Sequence, residues 1–269
     1  SGEPSVTTQN IWIDLPGSER PGEVFIVGAH FDCVPNSPGA DDNGSGVAAV
    51  LELAEALRER PRQRTVRLML FTAEEYGLTG ARRYAHQFIH ETDDRAIGMI
   101  SLDMIGYFTD EPDSQQWPIP SFPGVELPTV GNFITLVASG EEKPFSTIVA
   151  DTMSRAVPEL PVFNSDFLPM WLPDMRRSDH AAFLEWGIPA MHLTDTSNFR
   201  YVHYHKPTDT LDRLDMDRLA QVTAATASVI DHLANAELAW EPQPPRPQLR
   251  GQEQDQKDNA ADAPVEVGR

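Results

Sequence analysis

Short apolar runs alternate along this chain with segments of helical period, and that alternation is what most limits the folds open to it. Val24 to Ala29, Thr65 to Phe71 and Ala96 to Met104 have the length and the apolar or β-branched content of buried strands, and Asn10 to Leu15 alternates as an edge strand does. Between them, Val47 to Arg58 sets Val47, Val50, Leu51, Ala54 and Leu57 three and four residues apart, the stripe that a helix buries. Ala81 to Ile89 and Met216 to Leu238 repeat that period, the last behind a capping Asp215. Strands that are apolar on both faces and separated by helices predict an α/β protein: a mixed, mostly parallel central sheet with helices on both faces.

A chain of 269 residues suits one such core. The expected folded domain is 1–240. Past Trp240 the sequence turns to Pro, Gln, Asp and Glu, too little apolar surface to offset ordering entropy, so 241–269 is expected to be a disordered or loosely packed tail. Asp110 to Val130, rich in Pro, Ser, Gly and Asp, reads as an ordered loop with a few aromatic anchors that walls a site. Phe108, Trp117, Phe163 and Trp171 are the candidate apolar walls.

With 21 Lys and Arg against 41 Asp and Glu, the net charge is 21 − 41 = −20, which argues against nucleic-acid or anionic-membrane partners. No apolar run nears the roughly 18 residues of a membrane span, so no membrane insertion is expected. The single Cys33 can form no disulfide within the chain and is expected to be a small buried hydrophobe. The chain starts at Ser1 without a charged and then apolar leader; an exported protein, periplasmic or extracellular, is expected, with its signal absent from this chain. The sequence sets no oligomeric state.

The informative residues stand where strands end. VFIVGAHFD closes on His30 and Asp32, LMLFTAEE on Glu74 and Glu75, and ISLDMIG on Asp103. In an open α/β sheet ligands bind at the carboxyl ends of the strands, so these side chains can converge from distant positions. Asp42 in PGADDNGSG and His205 in YHKPTDT join them. Two imidazoles with several carboxylates form the mixed N/O donor set of zinc and similar divalent ions. One ion needs three protein ligands, and the surplus points to two ions: His30, Asp42 and Asp103 on one, Asp42, Glu75 and His205 on the other, with Asp42 as the bridge. Adjacent strand residues project in different directions, so of Glu74 and Glu75 one ligates and one serves as base.

HFD, GADDNGSG, AEE, LDMIG, RSDHAAF and YHKPTDT, in this order from Asn10 to Leu238, resemble the bacterial co-catalytic dizinc aminopeptidases, zinc exopeptidases related to leucyl aminopeptidase and glutaminyl cyclase. The resemblance implies a three-layer, phosphorylase/hydrolase-like sandwich. It also implies that His30, Asp42, Glu75, Asp103 and His205 hold two zinc ions, with cobalt or manganese as other occupants. Further roles carried over from it are Glu74 as general acid and base, Asp32 as the partner that orients His30, Tyr204 as oxyanion donor, and Arg177 near the substrate. A cis peptide at Asp42–Asn43 is implied as well. Asp179, with His180, is expected to support the substrate side of the rim, a helix cap at Ser178 or Asp179 being the other reading. His86, His90, His192, His203 and His232 are taken as surface or packing residues.

The implied reaction removes the N-terminal residue of a peptide through a metal-bridging water, with a free amine on the substrate. Spare groups around the ligands are mainly carboxylates, which favours an amine over a terminal carboxylate. Carboxypeptidase or dipeptidase activity, a glutaminyl-cyclase-like reaction and a binding module with a dead site are the other readings.

Overall fold

The computed structural model describes residues 7–119, 126–168 and 171–240. The tail expected over 241–269, and residues 120–125 of the proline-rich loop, lie outside the described residues. Seven strands form one sheet: β1 (Ile11–Leu15), β2 (Arg20–His30), β3 (Arg64–Phe71), β4 (Arg95–Leu102), β5 (Ile134–Val137), β6 (Val162–Asn164) and β7 (Ala190–Thr194), ordered β1-β3-β2-β4-β7-β5-β6. The pairs β2–β3, β2–β4, β4–β7 and β5–β6 are parallel, while β1–β3 and β5–β7 are antiparallel. The expected mixed, mostly parallel sheet is therefore present, with β1 at the edge where its alternation placed it. β5, β6 and β7 went unanticipated: β5 and β6 have only four and three residues, and β7, buried along its whole length, shows no alternation.

Helices α1 (Gly46–Leu57), α3 (Lys143–Ala156) and α5 (Met216–Asn235) cover one face, packed through Leu53, Phe145, Val149, Val222 and Val229. Helices α2 (Thr79–Glu91) and α4 (His180–Leu184) cover the other, where Phe71, Tyr84, Phe88 and Phe183 meet. Each fully buried side chain of this kind contributes about 1.5–3 kcal/mol. The stripe of α1 needs correction. Gly46, Ala49, Val50, Leu53 and Leu57 face the core, whereas Leu51 is 58% exposed. The helix is apolar nearly all round, so its spacing admitted two faces, and the close approach of Gly46 to β4 selects one. A Cβ on Gly46 would lie 2.4 Å from the Leu102 carbonyl oxygen. No helix among the described residues is long and apolar enough to cross a membrane.

At the start of α5 the Asp215 side chain accepts the Arg218 N–H, the cap that the sequence predicted, and the helix ends at Asn235, three residues before the expected Leu238. Asp215→Ala is expected to cost about 1 kcal/mol of stability, read as a lowered midpoint in urea with unchanged slope.

Candidate metal centre

The parallel strands β2, β3 and β4 all point their carboxyl ends to one side, and there the sheet delivers His30, Glu74 with Glu75, and Asp103. Ala73 and Met104, next to these residues, and His205 itself have positive φ (54°, 53° and 57°), a costly conformation for side chains of this size that surrounding contacts must enforce.

Asp42 is carried by the irregular turn Ala40–Ser45, and the Asp42–Asn43 peptide is cis, as the resemblance implied. Two anchors hold this turn. The Asp209 carboxylate accepts the N–H groups of Asp41 (2.9 Å) and Asp42 (3.2 Å) and the Tyr201 hydroxyl (3.0 Å). Asn43 donates to the Leu102 carbonyl (2.9 Å) and accepts from Met104 N and Gly46 N, tying the turn to the end of β4 and to α1. Asp209, the acid of YHKPTDT, and the Asn43 side chain were given no role in the sequence, although both lie inside motifs that were read.

The five expected ligands come together in two overlapping groups, His30, Asp42 and Asp103 in one and Asp42, Glu75 and His205 in the other, with donor atoms inside each within 4.8 Å of one another. Asp42 turns one oxygen to each histidine: Oδ1 lies 3.3 Å from His30 Nε2, and Oδ2 lies 3.1 Å from His205 Nε2. Asp103 Oδ1 is 3.4 Å from His30 Nε2, and Glu75 Oε2 is 3.2 Å from His205 Nε2. Glu75 Oε1 is buried without a hydrogen-bond partner. Buried polar atoms are normally satisfied, so an orphaned carboxylate oxygen within an N/O donor set fits an ion better than a dry core.

The electrostatics agree. Burial alone would lower both imidazoles, yet Asp103 and Asp42 at His30, and Asp42 and Glu75 at His205, outweigh it and raise both. Burial opposes the Asp103 charge, but His30, then His192 and the Ser178 hydroxyl, hold that carboxyl well below the usual carboxylate range. Burial, then Asp42, pushes Glu75 up to about 7. A cluster that gathers this much negative charge in a poorly hydrated place is stabilised by cations, whether protons or metal ions.

Glu74 lines the same cleft but falls in neither ligand group. Asp32 holds His30, as the resemblance implied, but chiefly through its main chain. Its backbone carbonyl accepts from His30 Nδ1 (3.0 Å), whereas its carboxylate accepts the backbone N–H groups of Glu74 (3.0 Å) and Glu75 (3.2 Å). Asp32 thus orients the histidine through its main chain and both glutamates through its side chain. Tyr204 lines the cleft, its ring stacked on His205 at 3.7 Å and its oxygen accepting from Arg177 Nη2 at 3.1 Å. The other guanidinium contacts of Arg177 go to Asp174 and Asn198.

Several expectations need correction. Asp179 is wholly buried behind the site, with both carboxylate oxygens unpartnered and no capping bond to α4, so it stands neither on the rim nor as a cap; burial pushes it up to about 8. Cys33 is exposed near the cleft and not packed inside. Of the four proposed walls, Trp117 lines an apolar cavity of about 70 Å³ that shares Arg177, His192 and Ser197 with the cleft. Phe163 braces Trp117 from behind at 5.0 Å, Phe108 joins the core, and Trp171 is 78% exposed. His203 turns to the Thr208 hydroxyl and stays out of the cluster. His192, expected to be a surface or packing residue, borders both the cleft and the cavity.

An α/β sheet whose strand ends gather two overlapping N/O donor sets has the makings of a metal centre. The chain belongs to peptidase family M28, whose model matches residues 10–230. Among its relatives, the uncharacterized protein YfbL of Escherichia coli is 32% identical over 219 residues, covering 78% of this chain and 67% of that protein. Aminopeptidase YwaD of Bacillus subtilis is 29% identical over 238 residues, covering 83% of this chain and 45% of YwaD. The solved aminopeptidase from Aneurinibacillus sp. strain AM-1 superposes with a TM-score of 0.64 at 28% identity, over 87% of this chain and 50% of the other. The chain thus spans about two thirds of YfbL and about half of the two aminopeptidases.

Proposed function

We propose that the protein is a dizinc aminopeptidase that hydrolyses the N-terminal residue from peptides. The observation that carries this reading is Asp42, whose two oxygens each face a different histidine within overlapping ligand sets. His30, Asp42 and Asp103 would hold one zinc, and Asp42, Glu75 and His205 the other. Zinc so held supplies Lewis acidity toward the scissile carbonyl and toward water.

The remaining chemistry belongs to side chains of this chain. Glu74 accepts a proton from the attacking water and delivers it to the leaving amine nitrogen as the C–N bond breaks. Burial, with Asp103 and Asp179 adding to it, raises the Glu74 carboxyl well above its usual range against the pull of His30, which suits a group that must take and give a proton. The Tyr204 hydroxyl, its oxygen already held by Arg177, keeps its proton free to donate to the developing oxyanion. Asp32 fixes the backbone on which both glutamates ride.

The choice of peptide end follows from charge. Arg177 is the one Lys or Arg lining the cleft among the described residues, and its guanidinium is committed to Asp174, Asn198 and Tyr204. Lys206 donates to the Val202 carbonyl at the surface. A protonated amine meets carboxylates here, whereas a terminal carboxylate meets no uncommitted cation. Acetylating the amine of a peptide substrate should abolish cleavage and amidating its far carboxylate should leave it. The reverse pattern in a chromatographic assay would make the protein a carboxypeptidase, and cyclisation of N-terminal glutamine without hydrolysis would make it a cyclase.

A further inference from the structure

His192 stands on β7 beside Asp103, with Ser101 of β4 opposite it in the parallel register. The Asp103 N–H donates to the Leu193 carbonyl at 3.1 Å, and His192 Nε2 donates to the Asp103 carbonyl at 3.1 Å, so both backbone groups of Asp103 are tied to β7. A carbonyl only accepts, which places the imidazole proton on Nε2. The same nitrogen lies 3.8 Å from Asp103 Oδ2, the oxygen turned away from His30. On its other side the ring stacks on His180 at 5.5 Å and 27°, and His180 Nε2 donates to the Met175 carbonyl at 2.9 Å. Met175 lines the apolar cavity, so the two stacked rings join the carboxylate of the cleft to the floor of its neighbour.

A neutral donor suits this place, because a Lys or Arg would put a permanent positive charge against a carboxylate needed for a cation.

We propose that His192 is a positioning residue for Asp103, and that it tunes the ion position made by His30, Asp42 and Asp103 while leaving the position made by Glu75 and His205 alone. This rests on the reading of the cluster as a two-ion centre. Phenylalanine at 192 would keep a ring over His180 but leave the Asp103 carbonyl without its donor. Glutamine would lose the ring and keep an N–H at similar reach.

The test titrates zinc into metal-free wild type, His192→Phe and His192→Gln by calorimetry, with the unfolding midpoint of each metal-free protein measured alongside. The wild type should take two ions. His192→Phe should bind one of them about 10- to 100-fold more weakly and the other as before, the range expected when a partner of a ligand is lost; His192→Gln should recover most of that affinity. Equal affinities in wild type and His192→Phe, with or without a lowered metal-free midpoint, overturn the proposal and reduce His192 to packing. Fewer than two ions in the wild type overturns the two-ion reading and the proposal with it. Should His192→Phe fail to fold, His192→Gln and His192→Asn decide: the shorter asparagine must lose the affinity that glutamine keeps, and equal values overturn the proposal.

Discussion

Glu74→Gln is expected to lower kcat by a factor of about 10² to 10⁴, the usual range for a positioned proton carrier, while both zinc ions stay bound. Glutamine matches glutamate in shape, and the backbone at this position is fixed from outside by Asp32, so the substitution removes the proton-carrying group and little else. Glu74 is only 8% exposed, so water has poor access to replace it. KM should change little, because the residue contributes through the transition state. Steady-state kinetics paired with metal analysis of the same preparation checks this. Loss of an ion on substitution would instead make Glu74 the ligand and Glu75 the base.

Asp42→Ala is expected to act on both ions. Each of its oxygens faces its own histidine, so its removal leaves His30 with Asp103 and His205 with Glu75, two protein ligands at each position where three are needed. Affinity at both positions should fall by more than the roughly 10- to 100-fold that loss of an outer partner costs. Zinc content after dialysis should drop from two to well below one per chain, with activity lost. His205→Ala, which touches one set only, should retain one ion. An Asp42→Ala protein that keeps one ion at wild-type affinity would show that Asp42 is not shared.

How far the sequence disclosed this arrangement depended on how local each signal was. The strand ends at His30, Glu74, Glu75 and Asp103 were legible because long buried strands announce themselves, and the rule that sites form at carboxyl ends brings the chemistry with them. Asp42 and His205 came from turn motifs with acids and histidines in fixed order. What stayed hidden was contact between segments far apart in sequence. Asp209 anchors the Asp42 turn from 167 residues away, and its motif was read for Tyr204 and His205 only. His192 sits mid-strand on β7, five residues long, and nothing local distinguishes it from a packing histidine. Asp179 shows the reverse failure: its SDH motif resembles a cap or a rim, yet the turn into α4 buries it behind the cleft. The helix face of α1 was ambiguous for a simpler reason, since a helix apolar nearly all round has no unique stripe.

The proposed two-ion centre at Asp42 is tested most directly by crystals of the zinc-loaded protein, with anomalous data collected above and below the zinc edge. Two peaks roughly 3.5 to 4 Å apart are expected, one beside Asp42 Oδ1 and His30, the other beside Asp42 Oδ2 and His205, both vanishing below the edge. A single peak under zinc-replete conditions, or two peaks without Asp42 between them, would contradict the account.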